Sequence, residues 1–459
     1  MHSLNPHIEV LPRPFYFLNR LLRLPVYGLA VFIAGCCFFL AGCQPSSQNQ
    51  TPPAAEITLE FWTLQLSRFK PVLEELFAAY EKEHPGIKIH WVDIPFQEGQ
   101  KRALSAILSG KPPDVINLNP DFSAILAARQ TLKNINTALT AQQKEIYLPV
   151  ALAAASIQPE NRGQEEVISG LPWYITSSVT LFNQQFLDQA GVAPPRQWHD
   201  LAPMLAAVNN ISGGSAGAST TRRYGLMPAI AEKGHFLKLL FQLGYAVFDP
   251  ETGQIKLISP EIVRVLNDYK HWYQQGVLPA ELLTEGHQAA VGRYLAGTLA
   301  AIEIGPNFLA IIQENAPEIF QQTGIAPQFP AESPVKLFSM MLLVIPQKSP
   351  HPQEALDFAR FMTANKQQLA FAEAAPVLPS TTDALKTIYA RAASKPDKMS
   401  QAMAISALQL IKAKTAYPVF ARQKMIHDTV DRTVQETLLG KKSAKAALAE
   451  AEAVINKGL

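Results

Sequence analysis

The chain has 459 residues, a net charge of +2 and a 48% hydrophobic composition. It is long enough for two or three ordinary domains with a large core. No basic stripe offers a footing for nucleic acid or an anionic membrane surface, and three cysteines are too few for a disulfide scaffold.

The N-terminus reads as an export signal. Arg13, Arg20 and Arg23 precede an almost wholly apolar stretch, 24–40, too short to span a bilayer comfortably. It ends in Leu40-Ala41-Gly42-Cys43, which resembles the bacterial lipobox. That resemblance implies cleavage of a signal peptide 1–42 and lipidation of Cys43, placing the protein outside the cytoplasm and anchored to the membrane. Cys36 and Cys37 would leave with the signal, and the mature chain would hold 37 basic and 37 acidic residues. Residues 44–55 are rich in Gln, Ser and Pro, so 43–55 reads as a flexible tether.

Folding is expected from Glu56. Ile57, Leu59 and Phe61 alternate with polar residues as in a strand, and Phe69 to Tyr80 follow helical spacing. His84-Pro85-Gly86 stops that helix, and Ile87, Ile89 and Trp91 alternate again. Strand, helix, strand is a βαβ unit, hence a parallel sheet. A helix at 98–109 and a strand at 114–118 continue the winding. A strand near 179–183, helices near 198–210, 233–243 and 260–275, and a strand near 299–304 follow. Residues 342–345 read as a buried strand, 352–363 as a helix, and the tail from about 400 to 456 as helical throughout, its last part, 444–455, amphipathic. No internal repeat is visible.

Enzyme motifs mostly fail. There is no GxxxxGK[ST] loop, no HExxH and no histidine set at metal-ligand spacing. Gly213 to Gly217 fits GxSxG, but the elbow needs a hydrophobic strand before it, and an Asn-rich helical end stands there instead. Ser215 therefore reads as a surface-loop residue. No metal and no cofactor are expected.

Several stretches together resemble the family 1 extracellular solute-binding proteins of ATP-binding-cassette (ABC) importers. Ile57 to Trp62 looks like the family's first strand, and FAAYEKEHPGIKIH (77–90) like its helix, turn and strand. Lys111-Pro112-Pro113-Asp114-Val115 resembles the entry to the third strand. Gly170-Leu171-Pro172-Trp173-Tyr174, followed by Leu181-Phe182-Asn183, resembles the crossover. Ala190-Gly191-Val192 with Pro194, Pro195 and Trp198, then Ile304-Gly305-Pro306, Glu354-Ala355-Leu356 and Leu378-Pro379-Ser380, keep the family's order. The chain departs from it at 334–341.

The resemblance implies an α/β, two-lobed periplasmic-binding-protein fold of the type II kind, with the ligand in a cleft between lobes. One lobe would hold 56–172 and 328–375, the other 176–325 and 380–456. Crossings would fall near Tyr174, Pro327 and Ala375-Pro376. A sugar needs flat aromatic surfaces and hydrogen-bonding partners. Segments expected at the cleft supply Gln65 and Ser67; Asn117, Asn119 and Asp121; Trp173, Tyr174 and Thr176; Asn307 and Phe308; and Phe338 and Ser339. Asn119 and Asp121 also suit a turn around Pro120. Trp173 is expected to stack on the ligand, with core packing as the competing reading. The function that follows is capture of a small polar solute, a mono- or oligosaccharide, by a monomer that delivers it to an ABC permease. A polyol or glycerol phosphodiester is the alternative within that class, and a secreted carbohydrate-active enzyme the alternative outside it.

Overall fold

The computed structural model describes residues 56–158, 166–213 and 222–457. The leader, the tether, Cys43 and Ser215 lie outside the described residues.

Among the described residues twelve strands form three sheets. In chain order they are β1 (Ile57–Leu64), β2 (Ile87–Ile94), β3 (Val115–Leu118), β4 (Ser156–Gln158), β5 (Val167–Ile168), β6 (Leu171–Ser177), β7 (Val179–Asn183), β8 (Ala301–Ile304), β9 (Thr323–Ala326), β10 (Phe338–Val344), β11 (Leu378–Pro379) and β12 (Val419–Phe420). The large sheet has the order β11-β6-β10-β3-β1-β2. Its β1 runs parallel to β2 and β3, as the βαβ pattern requires, while β10 enters antiparallel between β3 and β6. β3 is buried along its whole length, as a central strand covered on both faces must be. The second sheet is antiparallel, β8-β7-β9.

Two hydrophobic cores grow on these sheets. The first gathers Leu59, Phe61, Tyr80, Trp173, Leu342 and Phe358; the second gathers Leu181, Leu237, Val265, Ile302, Val430 and Leu448. One residue, Ser178, separates β6 of the first from β7 of the second. The chain returns through 327–337, between β9 and β10.

The tail departs from expectation. It is not helical throughout: helix Lys398–Lys412 is followed by an extended passage containing β12, then by helices Gln423–Leu438 and Ala444–Asn456. Nor does it leave the first core near Ala375-Pro376. β11 pairs with β6, and Leu385 and Ile388 of helix Thr382–Ala393 pack in the first core. Helix Lys398–Lys412 then lies along both cores, with Ala402 in the second and Ala407 and Leu410 in the first. Pro376 and the short β11 end one helix but leave the chain free to start another on the same face. The third sheet, β12-β4-β5, joins the tail to the first core's side, since Ile157 pairs with Val419.

Helix Lys398–Lys412 also grips the crossings. The Gln409 side-chain amide donates to Ser178 O at 3.1 Å, and its carbonyl accepts from Gln328 N. Ser406 Oγ donates to Ser177 O at 3.1 Å. The passages at Ser178 and at Gln328 are thus both fixed by adjacent turns of one helix.

Candidate ligand-binding cleft

Two cavities, of about 520 and 510 Å³, open where the cores meet. Thr176, Ser178, Glu303 and Ser339 line both, so they form one continuous cleft with a polar floor. The floor comes from the β6–β7 junction, from β8 and from the start of β10. This is the place where open α/β sheets hold ligands, beside strand ends and between domains.

The first cavity is walled mainly by the second core. Trp198, Tyr269 and Phe308 provide aromatic surface, and Asn307 projects from the turn after β8. Besides Tyr269, its titratable groups are Glu232, His235, His287 and Glu303, with Arg68 reaching in from the other core. Glu232 Oε1 accepts from His287 N at 2.7 Å and lies 2.5 Å from His287 Nδ1. Burial pushes the Glu232 carboxyl up, but these two contacts outweigh it and its pKa lies below the ordinary value. Burial holds the His235 imidazole down at about 4, against the pull of Glu232.

Glu303 is the carboxyl of the floor. Its Oε2 accepts from Phe329 N at 3.1 Å. Burial pushes its pKa up to about 7, opposed by that hydrogen bond, by the Lys336 charge and by the Gln242 amide.

The second cavity is bounded by Asn119, Asp121 and Tyr174 on one side, by Lys336 to Met341 along the crossing, and by Lys238 and Tyr417 opposite. Asn119 caps helix Pro120–Ala127, its Oδ1 accepting from Phe122 N at 2.8 Å. Asp121 Oδ1 accepts from Gln423 Nε2 at 3.0 Å, a tie from the first core's side to helix Gln423–Leu438. Burial raises the pKa of the Tyr174 hydroxyl well above the ordinary value. Beside the cavity, Tyr417 Oη lies 2.8 Å from His427 Nε2. Burial holds His427 down at about 4 and pushes Asp431, which accepts from Gly234 N, up to about 6.

Eight of the residues expected at the cleft line it: Asn119, Asp121, Tyr174, Thr176, Asn307, Phe308, Phe338 and Ser339. Four do not. Gln65 and Ser67 are exposed on the loop after β1, with Gln65 at φ 57° and Ser67 N bonded to Asp93, and it is their neighbour Arg68 that reaches the cavity. Asn117 is fully buried and accepts from Leu64 N at 3.3 Å. Trp173 corrects the stacking expectation. Its indole is 0% exposed, stacked on Phe371 at 5.2 Å and 19°, with Phe61 at 5.9 Å. Alternation decides this: in β6, Leu171, Trp173 and Ile175 are buried in the first core, while Tyr174 and Thr176 face the cleft.

The sequence reading missed Glu303, His235, Glu232 and Lys336. Glu303 carried a usable signal, a lone carboxylate between Ile302 and Ile304 in an otherwise apolar strand. Among the described residues no three His, Cys, Asp or Glu side chains gather closely enough to hold a metal ion, and no helix is long and apolar enough to cross a membrane.

Two α/β cores sharing a polar-floored cleft define a two-lobed binding protein. Residues 66–369 match the bacterial extracellular solute-binding protein family, and the chain belongs to it. An uncharacterised ABC transporter extracellular-binding protein of Pyrococcus horikoshii is 22% identical over 77% of this chain and 80% of its own. A crystal structure from Synechococcus sp. MITs9220, described as a proposed oligosaccharide periplasmic-binding protein, superposes with a TM-score of 0.76 at 27% identity, covering 87% of this chain and 98% of that one. Maltose-bound MalE3 of Thermotoga maritima shares the fold, with a TM-score of 0.66 at 20% identity over 88% of this chain and 100% of that one. The protein is an extracytoplasmic solute-binding protein of an ABC transporter, not an enzyme.

Proposed function

We propose that the cleft captures an uncharged mono- or oligosaccharide and that the protein, tethered through lipidated Cys43, delivers it to an ABC permease. The observation that carries this is the joined pair of cavities. Hydroxyl groups of Thr176, Ser178 and Ser339 line the floor, and Tyr174, Phe308 and Phe338 stand on the walls. Hydroxyls and a carboxyl suit a sugar's polar rim, and aromatic side chains suit its C–H faces. The ligand reaches groups on both cores only when they approach, so binding favours closure about the crossings.

Calorimetric titration with maltose, maltotetraose and glycerophosphoglycerol tests the reading, with product analysis on the same samples. Saturable binding of a neutral sugar without turnover is the expected result. Binding of the phosphodiester alone would move the assignment to the anionic alternative. Scattering with and without saturating sugar should show a smaller radius of gyration in the bound state.

A further inference from the structure

We propose that Glu303 is the specificity-determining residue of the cleft: its carboxyl pairs with hydroxyl groups of an uncharged ligand where the two cavities meet, and it rejects ligands that carry an anionic group. The proposal rests on the sugar reading above and names what that reading leaves open.

Position is the first argument. Glu303 lies in β8 between Ile302 and Ile304, both of which are buried in the second core. Strand alternation turns the intervening side chain the other way, into the cleft, beside Thr180 of β7. It is one of four residues common to both cavities, and the only titratable one of them. A ligand long enough to occupy both must pass its carboxyl.

The second argument is pre-organisation. Phe329 N holds Oε2 at 3.1 Å, and the Gln242 amide donates to Phe329 O at 3.1 Å, fixing the peptide that holds the carboxyl. The group is fixed from the side of the crossing segment. Burying a carboxyl costs free energy that an apolar side chain here would not. An apolar residue would also satisfy the strand pattern, so packing does not account for the acid.

The third is the surrounding charge. Lys336 faces Glu303 from the crossing, but its Nζ donates to Pro330 O and Ala331 O at 2.9 and 3.0 Å. Tyr269, His235, Glu232, His287 and Arg68 face the first cavity, and Lys238, Asp121 and Tyr417 the second. Burial holds His235 neutral, so it does not offset an incoming anion near neutrality. A phosphate at the junction would meet the Glu303 carboxylate at close range, where like charges repel.

The test titrates wild type, Glu303→Ala, Glu303→Asp and Glu303→Gln with maltose, maltotetraose and maltose 1-phosphate at pH 7.5, with melting curves to confirm folding. Wild type is expected to bind a neutral sugar and reject the phosphate. Glu303→Ala should bind the neutral sugar at least about tenfold more weakly. Glu303→Asp, charged but one methylene shorter, should also weaken it. Glu303→Gln should lose less than Ala and gain affinity for the phosphate. A folded Glu303→Ala or Glu303→Asp protein with wild-type affinity overturns the proposal and leaves the sugar reading standing. An unchanged phosphate affinity in Glu303→Gln overturns the anion rejection. Failure of wild type to bind either neutral sugar overturns the reading and the proposal together.

Discussion

The two cavities hold their polar groups in different ways. In the second, Asn119, Tyr174 and Phe338 belong to the large sheet or to the helix that follows β3, and each is fixed by neighbours close in sequence or by an adjacent strand. In the first, Glu232 with His235, His287 and Glu303 come from three separate segments and meet only when the second core has packed. The large-sheet wall of the second cavity is local chemistry, whereas long-range packing brings together the carboxyl and imidazole groups of the first. Its carboxyl and imidazole are held away from their ordinary protonation, with Glu303 up at about 7 and His235 down at about 4.

The largest expected effect tests the boundary between wall and core behind the second cavity. Trp173→Ala should cost about 3–5 kcal/mol of stability, as loss of a fully buried aromatic does. The affinity of the folded fraction for maltose should stay within roughly threefold of wild type, well under the thirtyfold typical of losing a central aromatic anchor. Calorimetric melting and titration of one variant measure both. Intact stability with lost affinity would return the indole to the ligand.

Burial of titratable groups in and beside the cleft should show in the pH dependence of stability. His235 and His427 are held at about 4 in the folded chain and titrate near 6.5 when unfolded. The unfolded state binds more protons between those values, so they remove stability as pH falls from 6.5 toward 4. Glu303 and Asp431 act oppositely. Their folded pKa values, about 7 and about 6, lie above the unfolded ones, so their contribution is full at low pH and is lost as pH rises through them. Glu303→Gln should therefore match wild type near pH 4.5 and exceed it by up to about 3 kcal/mol at pH 8. Denaturant unfolding at both values checks this. A difference independent of pH would mean the carboxyl ionises freely in the folded protein.

Both cavities depend on the crossings, and Gln409 ties two of them. Gln409→Ala leaves Ser178 O and Gln328 N without that partner. The expected cost is about 1–3 kcal/mol, the range for buried groups that lose a hydrogen bond. Thermal melts would show it. A variant as stable as wild type would mean that water or a neighbouring group replaces the amide.

The same contrast explains what the sequence made legible. β1, β2 and β3 could be read because alternation and the Pro85-Gly86 stop are local signals, and the motif order led to Tyr174, Thr176, Asn307 and Phe308 at the cleft. Trp173 was misplaced because neighbours in a strand face opposite ways, and its composition alone could not say which of 173 and 174 points inward. The tail's return to the first core depends on Leu385 and Ile388 meeting a core whose strands come from residues as distant as 57–64 and 171–177. Glu232, His235 and His287 are ordinary surface types until long-range packing brings them together.

The smallest expected effect separates two jobs that Asn119 can do in the second cavity. Its Oδ1 is committed to Phe122 N at 2.8 Å as the cap of helix Pro120–Ala127, which leaves the Nδ2 donors for a ligand. Asn119→Ala removes both and should cost about 1 kcal/mol of stability, the usual worth of an N-cap. Asn119→Asp keeps a capping oxygen and adds a negative charge at a helix N-terminus, where the dipole favours it. Its stability should equal wild type or slightly exceed it. The same change deletes the donor and places an anion beside Asp121. If the amide donates to a sugar hydroxyl, maltose affinity should fall by roughly threefold to tenfold, the value of one neutral hydrogen bond. A stable Asn119→Asp protein with wild-type affinity would assign the residue wholly to the helix. The second cavity would then read its ligand through Tyr174, Phe338 and the shared floor.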